Sequence, residues 1–167
     1  MTPDELHSIQ SRMTASTLNL LGFNKHYPHD VTFAPQPLFG SGLSNLRLEQ
    51  GLAQLQALLN YVETEHKIGT VMLISLRALQ TEAGVSYDLL SKPDTHVPYL
   101  TDCWFTSLRQ FCAHNKVTIS IKANRLPLLA RQGDIFLMEA ASTLGLQRCE
   151  LQDINLVRIF LGVTTAK

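Results

Sequence analysis

Five apolar side chains, Leu48, Leu52, Leu55, Leu59 and Val62, recur at alternating steps of four and three along one stretch of this chain. That spacing sets them on a single side of an α-helix, because a 3.6-residue turn brings positions i, i+4 and i+7 into one row. Leu58 widens the stripe. Just upstream, Ser44 can accept an orphan amide as an N-cap, and Leu43 and Leu48 have the spacing of a hydrophobic staple. The pattern covers about two heptads, whereas a coiled coil is argued from three or four. An internal core face is therefore favoured over a two-stranded coiled coil.

The other elements follow from the same rules. Thr2, Pro3 and Glu5 form a capping box ahead of Leu6, Ile9 and Met13, and Gly22 stops that helix. Residues 23–43 hold Pro28, Pro35, Pro37, Gly40 and Gly42, too many breakers for regular structure beyond a short extended piece at 31–33. A loop this long in a compact domain is often functional or ordered by what it packs against. A third helix runs from Thr70 to Ala83, with Met72, Leu76 and Leu79 on one side and Gly84 at its end. Its apolar run from Val71 to Leu76 marks it as central. Thr101 and Asp102 can cap a fourth helix that carries Trp104, Phe105, Leu108 and Phe111 at core spacing, with Asn115 as its left-handed end. Val117, Ile119 and Ile121 alternate with Thr118 and Ser120, a short strand signal. Asp134 can start a fifth helix, stopped by Gly145, and a sixth spans residues 149–161 with Leu151, Ile154, Val157 and Leu161 on one face. The expected fold is all-α, about six helices with a minor short β or extended element, in a single domain over residues 1–167. Residues 84–100, with Pro93 and Pro98, are a candidate hinge between two helical lobes.

Composition narrows the function classes. The 167 residues suffice for a core that needs neither a disulfide nor a metal staple. Fourteen basic and fourteen acidic side chains cancel, so global charge draws the chain to neither nucleic acid nor an anionic membrane. No apolar run approaches the roughly 20 residues of a spanning helix. The N-terminus lacks the basic-then-apolar order of a signal peptide, which points to an intracellular protein, cytoplasmic or nuclear. Cys103, Cys112 and Cys149 are odd in number and form no CxxC pair, so reduced core thiols are expected rather than a zinc site or a disulfide framework.

Motifs that would carry catalysis are not found. The run Gly40-Ser41-Gly42-Leu43 lacks the third glycine of a dinucleotide loop and the Lys-Ser/Thr pair of a P-loop, so it reads as a turn. His26, His29 and Asp30 lie together, but Pro28 breaks any helix that would align them on a metal, and polar loop residues are the default. No nucleophile elbow and no paired carboxylates for metal-assisted phosphoryl transfer are marked. No catalytic residue, cofactor or metal site is assigned. One charge asymmetry stands out: Arg109, Lys116, Lys122, Arg125 and Arg131 fall between Asp102 and Asp134 with no acidic residue among them, and His114 joins the set. A locally positive surface of this kind can hold nucleic-acid phosphates even on a neutral protein. The plainer account is a solvated helix end and loop, with Arg109 snorkelling from a core face.

The chain also resembles a known family. Leu21-Gly22-Phe23, Pro28, Val31-Thr32-Phe33, Pro35, Gly40-Ser41-Gly42-Leu43 and Glu49-Gln50-Gly51 follow the order seen after the polymerase core in algal-type retrotransposon reverse transcriptases. Cys103-Trp104-Phe105-Thr106-Ser107-Leu108-Arg109 resembles a Trp-x-x-Ser-Leu-Arg stretch of the same region, and Ile154-Asn155 with Arg158, Leu161 and Val163 continues the match. Ser41 departs from the family's turn glycine, and no Tyr-x-Asp-Asp box occurs in these residues. The resemblance implies a helical thumb or connector segment with no catalytic centre of its own. Its partners would be the RNA or DNA backbone and a polymerase core, and Arg109, Lys116, Lys122, Arg125 and Arg131 would be its phosphate contacts. The alternative is a helical protein-interaction or structural module that docks through a leucine-rich face or the proline-rich loop.

Overall fold

A computed structural model describes residues 3–24, 26–62, 64, 66–122 and 132–166. Among these, the α-helices are α1 (Pro3–Leu20), α2 (His29–Phe33), α3 (Leu46–Val62), α4 (Lys67–Ala83), α5 (Trp104–Asn115), α6 (Leu137–Ser142) and α7 (Arg148–Leu161). A 3-10 turn covers Gln36–Leu38, and β1 (Ile135–Phe136) pairs antiparallel with β2 (Thr165–Ala166). The fold is all-α with a minor β element. The chain divides into two compact units, Met1–Gln54 and Leu55–Lys167, and the division falls inside α3.

In the first unit, α1 buries Leu6 and Leu18 and ends before Gly22, whose φ of 76° is the left-handed stop expected there. The Thr2 cap lies outside the described residues. The piece expected to be extended at 31–33 is instead the short helix α2. Pro28, at its N-cap, accepts both the Thr32 amide at 3.0 Å and the Thr32 hydroxyl at 2.9 Å. The following turn folds back on it: Ser41 donates to Val31 O, Gly42 to Ala34 O and Leu43 to Thr32 O, at 2.9, 3.0 and 3.2 Å. Glycine is required at position 40, where a Cβ would fall 2.0 Å from the Ala34 carbonyl oxygen. With these amides spent on carbonyls, the segment is a turn and not a phosphate cradle. Asn45, not Ser44, caps α3: its Oδ1 accepts from the amides of Arg47 and Leu48 at 3.1 and 3.3 Å.

The second unit holds the main core. Leu76, Leu79 and Ala83 of α4 meet Phe105, Leu108, Phe111 and Cys112 of α5, and Met138, Ala141 and Leu151 join them. His66 starts α4 earlier than the apolar pattern suggests, its Nδ1 accepting from Ile68 N–H at 3.2 Å. Cys103, rather than Thr101 or Asp102, caps α5, because the Thr106 hydroxyl takes the Cys103 amide at 2.7 Å. Thr101 is engaged elsewhere, with its amide and hydroxyl both donating to Glu82 Oε1. Of the three thiols only Cys112 is a core residue; Cys103 and Cys149 are exposed.

Residues 84–100, the hinge candidate, are packed into this core. Val85, Leu89, Leu90, Val97, Tyr99 and Leu100 are all buried. Polar side chains from the helices hold the segment's backbone. Gln80 donates to Tyr87 O at 2.7 Å and accepts from Leu89 N–H at 3.2 Å, and Tyr99 donates to Ala83 O at 2.9 Å. Residues 117–121 keep the alternation of a strand but join no ladder: Val117, Ile119 and Ile121 turn inward, and the Ile119 amide donates to Leu90 O at 3.1 Å.

Candidate docking surface

An amphipathic helix normally turns its apolar row to the core, and α7 does the reverse over most of its length. Leu151, Asn155 and Arg158, spaced four and three apart, form its buried row. The apolar residues Ile154, Val157 and Leu161, the row expected to pack with Leu151, are exposed, as are Leu156, Ile159 and Phe160. Phe160 is 90% exposed, and Val163 extends the apolar surface beyond the helix end.

The reason lies in what Arg158 does. Its Nη2 donates to Thr81 O at 3.0 Å and Glu82 O at 2.6 Å, carbonyls in the last turn of α4 that have no partner within their own helix. Asn155 Oδ1 steers the guanidinium, accepting from Nε at 3.0 Å and Nη2 at 2.9 Å. A cation at a helix C-terminus also meets the negative end of the helix dipole. Gly84 makes the approach feasible: it is left-handed at φ 59°, and a Cβ there would lie 2.6 Å from Arg158 Cζ. Burial lowers the Arg158 pKa from its ordinary value, partly offset by Tyr99 and Glu82. Once this bond set points α7 inward at positions 155 and 158, the helical period carries Ile154, Val157 and Leu161 outward.

The helix is held at both ends. Gln147 N–H donates to Glu150 Oε2 at 2.8 Å in a capping box, and Gly162, at φ 65°, closes the C-terminus with Val163 N–H on Arg158 O. Between residues 154 and 163 the only ionisable side chain is Arg158, which faces inward. The exposed surface of this stretch is therefore apolar and uncharged.

Of the basic residues singled out in the sequence, Arg109, Lys116 and Lys122 are among the described residues, and Arg109 is turned inward. Arg109 is only 9% exposed and donates inward, from Nε to Leu89 O at 3.2 Å and from Nη2 to Lys92 O and to the carbonyl and hydroxyl of Thr95. Burial lowers its pKa, with Tyr87, Tyr99 and Asp94 opposing. Its role here is to tie the 89–95 loop to α5. Lys116 is exposed at the left-handed end of α5, and Lys122 is exposed six residues on. Arg125 and Arg131 lie outside the described residues. Among the described residues no group of three or more His, Cys, Asp or Glu side chains is placed to hold a metal ion, and no helix is long and apolar enough to cross a membrane.

The exposed row of α7 could not be found from apolar spacing, which favours the opposite orientation. The available signal was that Leu151, Asn155 and Arg158 form an equally regular row carrying the only cation of the stretch. Comparison with protein-family models, with curated proteins and with solved structures finds no match. The class defined by fold and surface is thus a helical protein with an outward apolar helix face.

Proposed function

We propose that this chain is a helical protein-interaction module, and that α7 lays its outward row against an apolar helix of a partner protein. One observation carries the reading: α7 buries Asn155 and Arg158 while Val157, Phe160 and Leu161 remain exposed. Leaving such side chains in water forgoes about 1.5–3 kcal/mol each relative to burial, so a face of this kind gains most when a partner covers it. Ile154, Val157 and Leu161 make a straight ridge of the spacing that a facing helix reads as i, i+3 and i+7. The absence of outward charge from 154 to 163 matches an apolar partner and offers nothing to a phosphate backbone. The resemblance to the post-catalytic region of reverse transcriptases would make a polymerase core such a partner. An intracellular setting goes with three free thiols.

A grip on nucleic-acid backbone is the competing reading. Its described surface basics are Lys116 and Lys122, since Arg109 spends its donors internally.

Site-specific photo-crosslinking in cells separates the two. A benzophenone side chain at position 160 is expected to yield protein adducts that map to an apolar helical segment, and Val157→Gln/Leu161→Gln is expected to abolish them. The same group at position 116 is the control. Adducts confined to this chain itself, or none above the control, would contradict the reading. Nucleic acid captured at 116 and not at 160, with salt-sensitive binding of an RNA–DNA hybrid lost in Lys116→Glu/Lys122→Glu, would replace it with the backbone grip.

A further inference from the structure

A second feature, independent of α7, lies within the unit Met1–Gln54. One side of α1 faces α2 and the first turn of α3 across a groove of about 440 Å³, in the size range of small-molecule sites. Leu6 and Leu18, both buried, and the half-buried Phe33 give it an apolar lining. His7, His29 and the guanidinium-bearing Arg47 also border it, and no Asp or Glu is among the described residues that line it.

The amides at the start of α3 are already engaged. Leu46 N–H donates to Gln10 Oε1 at 2.6 Å, and those of Arg47 and Leu48 donate to Asn45 Oδ1. An anion in the groove would therefore be met by the Arg47 side chain and not by the helix end. Gln10 also donates from Nε2 to Ser44 O at 3.3 Å, so α1, which carries the leucines, is tied directly to the turn that carries the arginine. A purely polar anion would leave the half-buried Phe33 in water above the buried floor of Leu6 and Leu18, and a neutral hydrocarbon would leave Arg47 unmatched. A planar carboxylate suits the guanidinium fork.

We infer that this groove binds a small organic carboxylate with an apolar body, its charged end on Arg47 with His7 and His29 as further donors and its body against Leu6, Leu18 and Phe33. The inference does not depend on the role of α7.

Calorimetric titration of the full chain with octanoate, with amide chemical shifts to locate binding, tests it. Octanol keeps the body without the charge, and acetate keeps the charge without the body. Saturable octanoate binding is expected, with shifts at α1, α2 and the start of α3. Octanol and acetate are each expected to bind about tenfold or more weakly, the scale of one charge-assisted contact or of the buried body. Arg47→Gln should cost octanoate about tenfold in affinity and leave octanol unchanged. Ser11→Trp, at an exposed position lining the groove, should abolish binding with the helical circular dichroism retained. If that variant unfolds, Arg47→Gln with unchanged circular dichroism decides alone. Octanol or inorganic phosphate binding as tightly as octanoate, indifference to Arg47→Gln, or shifts gathered on α7 would each overturn the inference.

Discussion

Arg158 donates to carbonyls 76 and 77 positions earlier in the chain, and Gly84 leaves room for it to do so. Gly84→Ala would both strain a left-handed residue and displace the guanidinium, so a loss of about 1–3 kcal/mol is expected in urea unfolding followed by Trp104 fluorescence. An unchanged midpoint would mean that the guanidinium does not occupy this space. Phe39 is the opposite case: it holds φ 61° with its ring 95% exposed, so its strain is offset by no burial. Phe39→Asn, a residue that tolerates this conformation, should stabilise the first unit by up to about 1 kcal/mol, read from its amide signals in urea. Destabilisation would show that the ring is covered. The thiols separate by position. Burial pushes Cys112 up, while Cys103 and Cys149 are exposed. A disulfide reagent should therefore titrate two thiols in the native protein and the third only on unfolding. Three fast thiols would place Cys112 outside the core.

At the scale of elements, what was legible in the sequence was local. The ends of α1 and α4 at Gly22 and Gly84, the core spacing of Phe105, Leu108 and Phe111, and the turn at Gly40 depend on neighbours within a few residues. What was not legible depends on distant ones. The leucine stripe of α3 is only partly inward: Gly51, Gln54, Leu58 and Val62 are buried, whereas Leu48, Leu52 and Leu59 are exposed. In α7 the apolar rule fails because capping α4 with a cation outweighs burying Val157. The burial of residues 84–100 is hidden because Pro93 and Pro98 break regular structure, yet irregular backbone is compatible with a core when its polar groups are met. Gln80, Tyr99 and Arg109 meet them. The groove beside α1 is hidden because His7, His29 and Arg47, which border it, are far apart in sequence.

For the molecule as a whole, formal net charge is zero near pH 7, and uncharged proteins with apolar patches associate readily. Val157→Gln/Leu161→Gln should raise solubility and lower the apparent mass at high concentration in sedimentation. If association persists unaltered, another surface is responsible. The central claim, that α7 faces its polar row inward and its apolar row outward, is tested most directly by comparing two unfolding free energies. In urea titrations followed at Trp104, Val157→Gln/Leu161→Gln should leave stability within about 0.5 kcal/mol, and Arg158→Met should cost about 2–4 kcal/mol. The reverse order, with the glutamine pair severely destabilising and Arg158→Met neutral, would contradict the account.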